Sequence, residues 1–145
     1  MSQSKTKRPY YSSTQIDRYL DRICFPSDKW PRITAEAART REGLAYLTEL
    51  QKYHLTSVPF ENLSLHYSKL PGISLDTEDL FEKIVERRRG GYCMEVNCFF
   101  ATVLDTLGYE VVPTGARVLN PSGEYGGWYA ESVYLPFTNL HFRLI

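Results

Sequence analysis

Cysteine is scarce in this sequence, and the pattern of the few that occur argues against a disulfide framework. Only three cysteines lie among 145 residues, an odd number without paired spacing. Small secreted domains that depend on disulfides carry more cysteines at regular intervals. We therefore expect a reducing, cytoplasmic environment. The three cysteines and three histidines also never fall at the spacing of metal ligands, so no metal site is predicted.

An excess of charge of one sign is missing as well. Seventeen basic residues balance seventeen acidic ones, whereas a domain that binds nucleic acid or an acidic membrane usually carries a basic surface. The N-terminal segment MSQSKTKRPYYSSTQ has no apolar core and is neither a signal peptide nor a membrane span. We expect no nucleic acid and no membrane as partner, which leaves small molecules and proteins.

Apolar residues occur at the level of an ordinary globular domain. They make up 43% of the sequence, and aromatic residues alone make up 14%, which suffices for one core. Helical spacing of these residues predicts three helices ahead of an arginine run. The first is capped by Thr14, the second runs from a cap at Thr34 to about Tyr53, and the third starts at Asp76. Residues 1–13 are expected to form a flexible tail.

The most informative stretch is RRRGGYCMEVNCFFATVLDTLG, residues 87–108. Its apolar residues predict a buried helix from about Tyr92 to Leu107, which Gly108 closes. Cys93 lies on the inward face at the N-terminal end, where unpaired N–H groups and the helix dipole favour a thiolate. The two preceding glycines permit φ values that side chains forbid and allow another group to approach the sulfur. Cys93 is therefore either a nucleophile or a buried, inert thiol, and a matching base would decide.

Several other residues have ordinary structural interpretations from the sequence alone. Cys24 and Cys98 are expected to be buried and inert. Arg22 is expected to be a solvated helix residue, and His54 to satisfy carbonyl groups at the end of the second helix. The loop that follows this helix should pack through its apolar side chains. One of the arginines at 87–89 could hold a carboxylate from that loop.

After Gly108 the pattern changes from helix to strand. Residues 109–119 are rich in β-branched side chains, and further strand-like segments continue to Ile145. The predicted fold class is α+β, with a helical bundle over 14–108 and strands over 109–145. An apolar strand at the end of the sequence would leave an open sheet edge. We therefore expect a fragment or shortened gene product that could self-associate through this edge.

Three motifs resemble the arylamine N-acetyltransferase family: RGGYCMEVN at 89–97, VPFENL at 58–63 and YLDRI at 19–23. The segment at 116–118 is similar to the first barrel strand of that family. The resemblance runs from about Ile16 to the end of the sequence. It implies the cysteine-proteinase-like arrangement of a helical bundle, a β-barrel and a third, lid domain. In this sequence the barrel would be only partial and the lid domain absent.

The resemblance implies transfer of an acetyl group from acetyl-CoA to an arylamine or hydrazine through an acetyl-cysteine intermediate, an activity of xenobiotic metabolism. Cys93 would be the nucleophile and His141 the base, since a histidine can hold the thiol as a thiolate and later take the proton of the amine. The aspartate of the family's triad has no match in the sequence. Arg22 and Glu95 would support the active site from neighbouring helices. The acceptor pocket would be lined by Phe60, Tyr92 and Val118.

Two alternatives remain open beside the acetyltransferase. The first is a truncated, catalytically inactive homologue that lacks the triad aspartate and the CoA-binding lid. The second is a papain-like cysteine hydrolase, which shares the order of cysteine before histidine and the thiol at the start of a helix. The RGGYC motif argues against the hydrolase.

Overall fold

The computed structural model describes residues 10–67, 72–119 and 122–134. Five α-helices, two short turns of other helical types and two strands occur among these residues. The helices are α1 (Ser13–Arg22), α2 (Arg41–Ser57), α3 (Leu63–Tyr67), α4 (Thr77–Phe81) and α5 (Cys93–Thr106). A 3-10 turn spans Ala37–Arg39, a π turn spans Glu82–Glu86, and the strands are β1 (Val112–Leu119) and β2 (Tyr125–Tyr134).

Two of the three predicted helix caps are wrong by a few residues. Ser12 rather than Thr14 caps α1, because the Ser12 side chain and N–H exchange hydrogen bonds of 3.2 and 2.9 Å with the third helical residue. Thr40 rather than Thr34 caps α2, since Thr34 accepts an N–H of the 3-10 turn at 3.3 Å. The third cap is confirmed. A carboxylate oxygen of Asp76 accepts two N–H groups of α4.

The chain is already anchored ahead of α1. Tyr11 is only 4% exposed, and its ring lies 5.3 Å from that of Phe81 and 5.6 Å from that of Phe99. Its N–H donates to the Thr106 side chain at the far end of α5. Burial of an aromatic ring on this scale stabilises a segment by roughly 1.5–3 kcal/mol. The expected flexible tail over residues 1–13 is therefore wrong at its C-terminal end.

The core is centred on α5, as the helical spacing predicts. The expected buried helix is confirmed, and Gly108 follows it with a φ of +92°, a conformation that suits glycine. The helix packs against α4 and β2, and α2 reaches it through a stacked histidine and phenylalanine. At most 1% of each of its main apolar residues is exposed, and these are Val96, Phe99, Phe100, Val103 and Leu104.

The strands β1 and β2 form one antiparallel pair. Their register is irregular around Arg117, which lies between two shifts in the pairing. Gly123 has a φ of +81° in the connection between them, where glycine is favoured. The α+β class is confirmed for the described residues, whereas the β-barrel, the missing lid and the boundary at residues 108–109 stay predictions.

Candidate active site

The residues ahead of α5 lie against the loop that follows α2. We call residues 89–92 the glycine segment and residues 58–61 the loop segment. The Gly91 N–H donates to the Pro59 carbonyl at 3.2 Å, and the Glu61 N–H donates to the Gly91 carbonyl at 2.9 Å. The two segments therefore form a short parallel bridge directly before Cys93.

The two glycines of the glycine segment allow this close approach of backbones. A Cβ atom added to Gly90 would lie 1.7 Å from the Pro59 carbonyl oxygen, and one added to Gly91 would lie 3.0 Å from a carboxylate oxygen of Glu95. Among the described glycines, only two others have a positive φ. Gly90 and Gly91 therefore do not use the φ freedom that glycine permits, and the lack of a side chain matters here because neighbouring groups approach closely.

The three arginines of the run have different roles, and only Arg89 is described in contact with the side chain of a loop-segment residue. The Arg89 guanidinium donates to the Glu61 carboxylate at 2.7 Å, and only 14% of the Glu61 side chain is exposed. This pair confirms that one arginine holds a carboxylate of the loop. Arg87 pairs with Glu82 at 2.6 Å, with both side chains more than half exposed. Arg88 carries a φ of +51°, an unfavourable conformation for a residue with a Cβ.

Arg22 joins three segments of backbone, so the expectation of a solvated helix residue is wrong. Its guanidinium donates to the carbonyls of Ile84 at 3.2 Å, Ser57 at 3.0 Å and Arg88 at 3.1 Å. Burial lowers the pKa of the Arg22 guanidinium, and the positive charge of Arg88 lowers it further. The side chain thus links the ends of α1 and α2 to the π turn and to the strained residue before the glycine segment.

Cys93 is the first residue of α5, and its side chain is half-buried. Burial raises the pKa of the Cys93 thiol. Hydrogen bonds from the Met94 and Cys93 N–H groups and from the Tyr92 side chain lower the pKa but do not outweigh burial. The N–H groups at the start of α5 thus favour the thiolate, as expected, but burial outweighs them and the pKa of the thiol is raised overall. The predicted base, His141, lies outside the described residues.

Glu95 lies within the first turn of α5 and is 2% exposed. One carboxylate oxygen accepts the Tyr92 N–H at 2.9 Å, and both oxygens accept from the Lys83 ammonium at 2.9 Å. Lys83 also donates to the Ser64 hydroxyl at 3.0 Å. Glu95 thus contacts the backbone beside Cys93. Sequence reasoning missed Lys83, because helical spacing predicts it outside the apolar stripe of its segment.

Phe60 and Tyr92 are brought together by the parallel bridge. Phe60 pairs with Gly91, the neighbour of Tyr92, and Phe60 is 45% exposed. The prediction that the loop's apolar side chains pack is thus wrong for Phe60, although Val58 is 1% exposed. Val118 lies on β1, and its role in a pocket stays a prediction.

A cavity of about 650 Å³ lies beside α3 and the π turn. Lys83, Glu95 and Arg89 are among its lining residues, together with Leu63 and Tyr67 of α3. The described residues that line it include neither Cys93 nor the expected acceptor-pocket residues. Within the described part of the chain, the cavity is thus lined by Arg89 of the glycine segment but not by the thiol.

His54 is part of the core, so the expectation of a histidine that satisfies terminal carbonyls is wrong. It is 1% exposed, its ring stacks on Phe100 at 4.3 Å, and its Nδ1 atom shares a hydrogen bond of 3.0 Å with the Tyr19 hydroxyl. The Nε2 atom has no hydrogen-bond partner in the described part of the chain. Burial lowers the pKa of His54 to about 3, and the charge of Arg22 acts in the same direction.

The other two cysteines are not buried as expected. Cys24 is exposed just beyond α1, with a φ of +54°. Cys98 is half-buried, and its thiol is 3.9 Å from the Leu75 carbonyl oxygen. None of the three cysteines forms a disulfide bond within the described part of the chain. No cluster of histidine, cysteine, aspartate and glutamate suited to a metal ion occurs among the residues whose positions are described.

None of the helices in the described ranges combines the length and the apolar content that a membrane span requires. The longest helix, α2, has 17 residues. A span of the bilayer core takes about 20 consecutive, mostly apolar residues.

Comparison with known proteins agrees with the motifs. A family model described as N-acetyltransferase matches residues 43–129. The N-malonyltransferase FDB2 of Fusarium pseudograminearum is 46% identical over 121 residues, which cover 81% of this chain and 35% of that protein. The pineal gland arylamine N-acetyltransferase isozyme NAT-3 of Gallus gallus is 42% identical over 102 residues, which cover 70% of this chain and 33% of that protein.

Solved structures give the same result. The structure of Mycobacterium marinum arylamine N-acetyltransferase in complex with CoA is 32% identical, with a TM-score of 0.64, and the match covers 83% of this chain and 42% of that one. The chain thus spans about a third of the length of the curated relatives it matches. The glycine segment and Cys93 fall inside the matched residues 43–129. With these matches and the geometry around Cys93, the chain belongs to the arylamine N-acetyltransferase family, a family of acyltransferases.

Proposed function

We propose that Cys93 accepts an acyl group from an acyl-CoA and passes it to an aromatic amine or hydrazine. The observation that carries this proposal is the place of Cys93. Its half-buried sulfur begins α5 directly after a glycine segment that hydrogen bonds hold in one position. A reactive group that is already fixed in position loses little further orientational entropy when it reacts. His141, the histidine that the family resemblance indicates, would serve as the base.

The reaction has two acyl-transfer steps. In the first, the base takes the thiol proton, and the sulfur of Cys93 attacks the thioester carbonyl. The bond from the carbonyl to the CoA sulfur breaks, and CoA leaves as a thiol after it takes up the proton. In the second, the amine nitrogen attacks the acyl-cysteine, and the bond from the carbonyl to Cys93 breaks. The base takes the amine proton and returns it to the sulfur.

Because burial raises the pKa of the Cys93 thiol, the base is essential to this scheme. At neutral pH most of an unassisted thiol with a raised pKa stays protonated and is a poor nucleophile. A histidine within hydrogen-bond distance would remove the proton as the attack proceeds. We therefore expect the isolated thiol to react slowly and the complete centre to react quickly.

The acceptor is proposed to be flat and aromatic. Phe60 leaves 45% of its surface exposed next to the glycine segment, and Tyr92 lies half-buried beside Cys93. Exposed aromatic surface next to a nucleophile favours stacking of an aromatic ring. Val118 would complete this pocket from β1.

The acyl donor is proposed to be acetyl-CoA, with malonyl-CoA as the second candidate. Acetyl-CoA follows from the family, and one relative has been solved with CoA. Malonyl-CoA is favoured by the 46% identity to an N-malonyltransferase. The two donors differ by a carboxylate, so a direct competition between them would reveal which one the chain prefers.

A catalytically inactive homologue is the alternative function. In that case Cys93 and the fold would be retained, while the triad would lack the carboxylate that orients its histidine. Loss of such a carboxylate in a comparable triad lowers kcat by about 10⁴-fold. This alternative predicts a thiol that reagents label but that acyl-CoA does not acylate.

Mass spectrometry of the intact chain separates these possibilities. The chain is incubated with acetyl-CoA, malonyl-CoA or p-nitrophenyl acetate and is then digested to locate any adduct. We expect one acyl group on Cys93, its loss in Cys93→Ala, and its retention in Cys24→Ala and Cys98→Ala. Addition of an arylamine should release the acyl group as the amide. The absence of any adduct, while iodoacetamide still labels Cys93, would favour the inactive homologue.

A further inference from the structure

A buried ion pair lies directly behind the turn that presents Cys93. Lys83 and Glu95 keep only 14% and 3% of their side chains exposed, and both carboxylate oxygens lie 2.9 Å from the ammonium. The other five pairs described leave at least one side chain more than 30% exposed. An ion pair with so little access to water is not weakened by solvent in the way that a surface pair is.

The carboxylate of this pair touches the backbone next to Cys93. One of its oxygens accepts the Tyr92 N–H at 2.9 Å, and a Cβ atom on Gly91 would come within 3.0 Å of the same oxygen. Tyr92 is the neighbour of Cys93, so their Cα atoms are about 3.8 Å apart. Glu95 therefore fixes the direction in which the chain enters α5.

The ammonium of the pair comes from a different part of the chain. Lys83 belongs to the π turn, a type of helix that often marks functional sites. Besides Glu95 it binds the Ser64 hydroxyl of α3 at 3.0 Å, and its own carbonyl accepts the Arg89 N–H at 3.1 Å. Lys83 thereby joins the π turn, α3 and the glycine segment.

The charges of the Lys83–Glu95 pair also affect the acidity expected of the Cys93 thiol. A carboxylate at the start of a helix stabilises the helix, but it also disfavours a second negative charge, such as a thiolate, nearby. The ammonium of Lys83 offsets that negative charge at a distance of 2.9 Å. Removal of either partner alone would leave an unopposed charge of known sign at the turn that carries Tyr92 and Cys93.

We propose that Lys83 is a positioning residue for the acyl-transfer centre: it holds and neutralises the Glu95 carboxylate, and so fixes the turn that presents Cys93. The catalytic importance of this positioning role rests on the proposed function of Cys93. The geometry of the ion pair does not depend on that function. A residue with a purely structural role would affect stability alone, whereas Lys83 and Glu95 should also change the acidity of the thiol in opposite directions.

Other charged groups face the same turn and must stay unchanged in the test. From the loop segment and the glycine segment these are Glu61 and Arg89, which pair with one another. From α1 it is Arg22, which donates to three carbonyls. From the π turn it is Glu82, which pairs with the exposed Arg87.

The test measures the pH dependence of alkylation of Cys93 by iodoacetamide in the 145-residue chain. Cys24 and Cys98 are replaced by serine so that a single thiol reacts. Glu95→Gln keeps an oxygen that accepts the Tyr92 N–H but leaves the lysine unopposed, so the apparent pKa should fall. Lys83→Met leaves the carboxylate unopposed, so the apparent pKa should rise. Each shift should be about 0.5–1 unit, since two charges a few ångströms apart near a protein surface interact on this scale.

Two further variants sharpen the result. Lys83→Arg retains the positive charge and should restore the wild-type pH profile. The double variant Lys83→Met/Glu95→Gln contains neither charge, and its apparent pKa should return close to that of the wild type. The double variant also leaves no unpaired charge at this position. If Lys83→Met does not fold, a lowered apparent pKa in Glu95→Gln and a wild-type apparent pKa in the double variant together test the proposal.

The matched control is the exposed pair of Lys52 and Glu49 on α2. Their ammonium and carboxylate lie 2.6 Å apart, and 63% of the lysine side chain is exposed. Lys52→Met and Glu49→Gln remove the same charges from a different helix, at a pair that makes no described contact with the glycine segment or with Cys93. Neither should change the pH profile of alkylation.

Shifts of the same sign in Glu95→Gln and Lys83→Met, or no shift in either, would overturn the proposal. So would a double variant that stays displaced from the wild type. A separate assay for acylation by acetyl-CoA distinguishes this failure from failure of the proposed function. If the wild type is acylated but the shifts are absent, the positioning role is wrong. If opposite shifts occur without acylation, the positioning role stands and the acyltransferase function of this chain does not.

Discussion

The two halves of α5 are held in place by different forces. From Val96 to Leu104 the inward apolar residues are at most 1% exposed, and the helix is held by burial of apolar surface. At the N-terminal end, Tyr92 and Cys93 are half-buried, and the backbone is held by hydrogen bonds and ion pairs from the loop segment and the π turn. The proposed nucleophile, Cys93, lies at the polar end.

The two kinds of interaction differ in how precisely they fix atomic positions. Burial of apolar surface is strong but non-directional, so it fixes the presence of a helix better than the position of one atom. Hydrogen bonds and paired charges are directional, and they hold a reacting group within a narrow range of positions. We therefore expect substitutions in the apolar half to change stability, and substitutions near Cys93 to change reactivity more than stability.

The largest expected effect concerns pH and involves His54 of α2, whose ring stacks on Phe100 in the apolar half of α5. His54 has a folded-state pKa of about 3, below its ordinary value of 6.5. The unfolded chain therefore takes up a proton near pH 6.5, while the folded chain does not until the pH approaches 3. The free energy of unfolding should be greatest above pH 6.5 and should fall by up to about 4–5 kcal/mol as the pH decreases through this window.

Urea unfolding, followed by circular dichroism at several pH values from about 7.5 to about 4, would test this effect. This pH range covers most of the window and roughly the range in which histidine titrates. Protonation of His54 would create a second N–H beside Phe100, where the Nε2 atom has no partner in the described structure. The control is His54→Gln, which cannot titrate and should show a much flatter dependence. An equal slope in both proteins would contradict the assignment to His54.

An intermediate effect is expected at the polar end from Gly90→Ala. The added Cβ would lie 1.7 Å from the Pro59 carbonyl oxygen, which belongs to the backbone and cannot rotate away. The bridge between the glycine segment and the loop segment should separate, at a cost of about 2–3 kcal/mol. Thermal unfolding and the rate of Cys93 acylation measure the two consequences.

Gly72→Ala is the matched control for this substitution. No atom of the described residues lies within 4 Å of the position that its Cβ would take, and its φ is not in the positive range. It should change the free energy of unfolding by no more than about 1 kcal/mol. If Gly90→Ala were as mild as Gly72→Ala, the close approach of the two backbones would not be needed.

The smallest expected effect is a gain in stability from Arg88→Asn. Arg88 has a φ of +51°, a region that asparagine tolerates better than arginine. Only its carbonyl is needed to accept the hydrogen bond from Arg22. We expect an increase of about 0.5–1 kcal/mol in the free energy of unfolding, measured by urea denaturation.

Arg87→Asn provides the comparison, because Arg87 has a φ of −83° and gains nothing from relief of strain. Its loss would remove only an exposed ion pair with Glu82, which contributes little. A gain in Arg87→Asn as large as that in Arg88→Asn would assign the effect to lost positive charge rather than to backbone conformation.

The sequence predicted α5 closely because its signals are local. The spacing of Val96, Phe99 and Val103 defines one apolar face, and Gly108 provides the closing residue. The caps were less certain, because Thr34 and Thr40 are both able to accept an N–H and only the 3-10 turn between them shows that each is used.

The site residues were predicted unevenly for a similar reason. Motif resemblance alone singled out Arg22 and Glu95 as supporting residues, and their hydrogen bonds show the contacts they make. Lys83 and His54 were missed because their environments depend on other segments. Nothing in the residues around either one in the sequence shows that Glu95 or Phe100 will face it.

What the sequence alone determined was the helix that carries Cys93, the helical part of the fold and the family, since these depend on local spacing and on short motifs. Only the tertiary structure decided how that helix is presented. The loop segment and α1 are distant from Cys93 in the chain, whereas the π turn ends shortly before it, and burial of the α5 core brings all three together at the turn before Cys93. The acidity of the thiol depends on that packing, because burial raises its pKa while hydrogen bonds and paired charges set its surroundings.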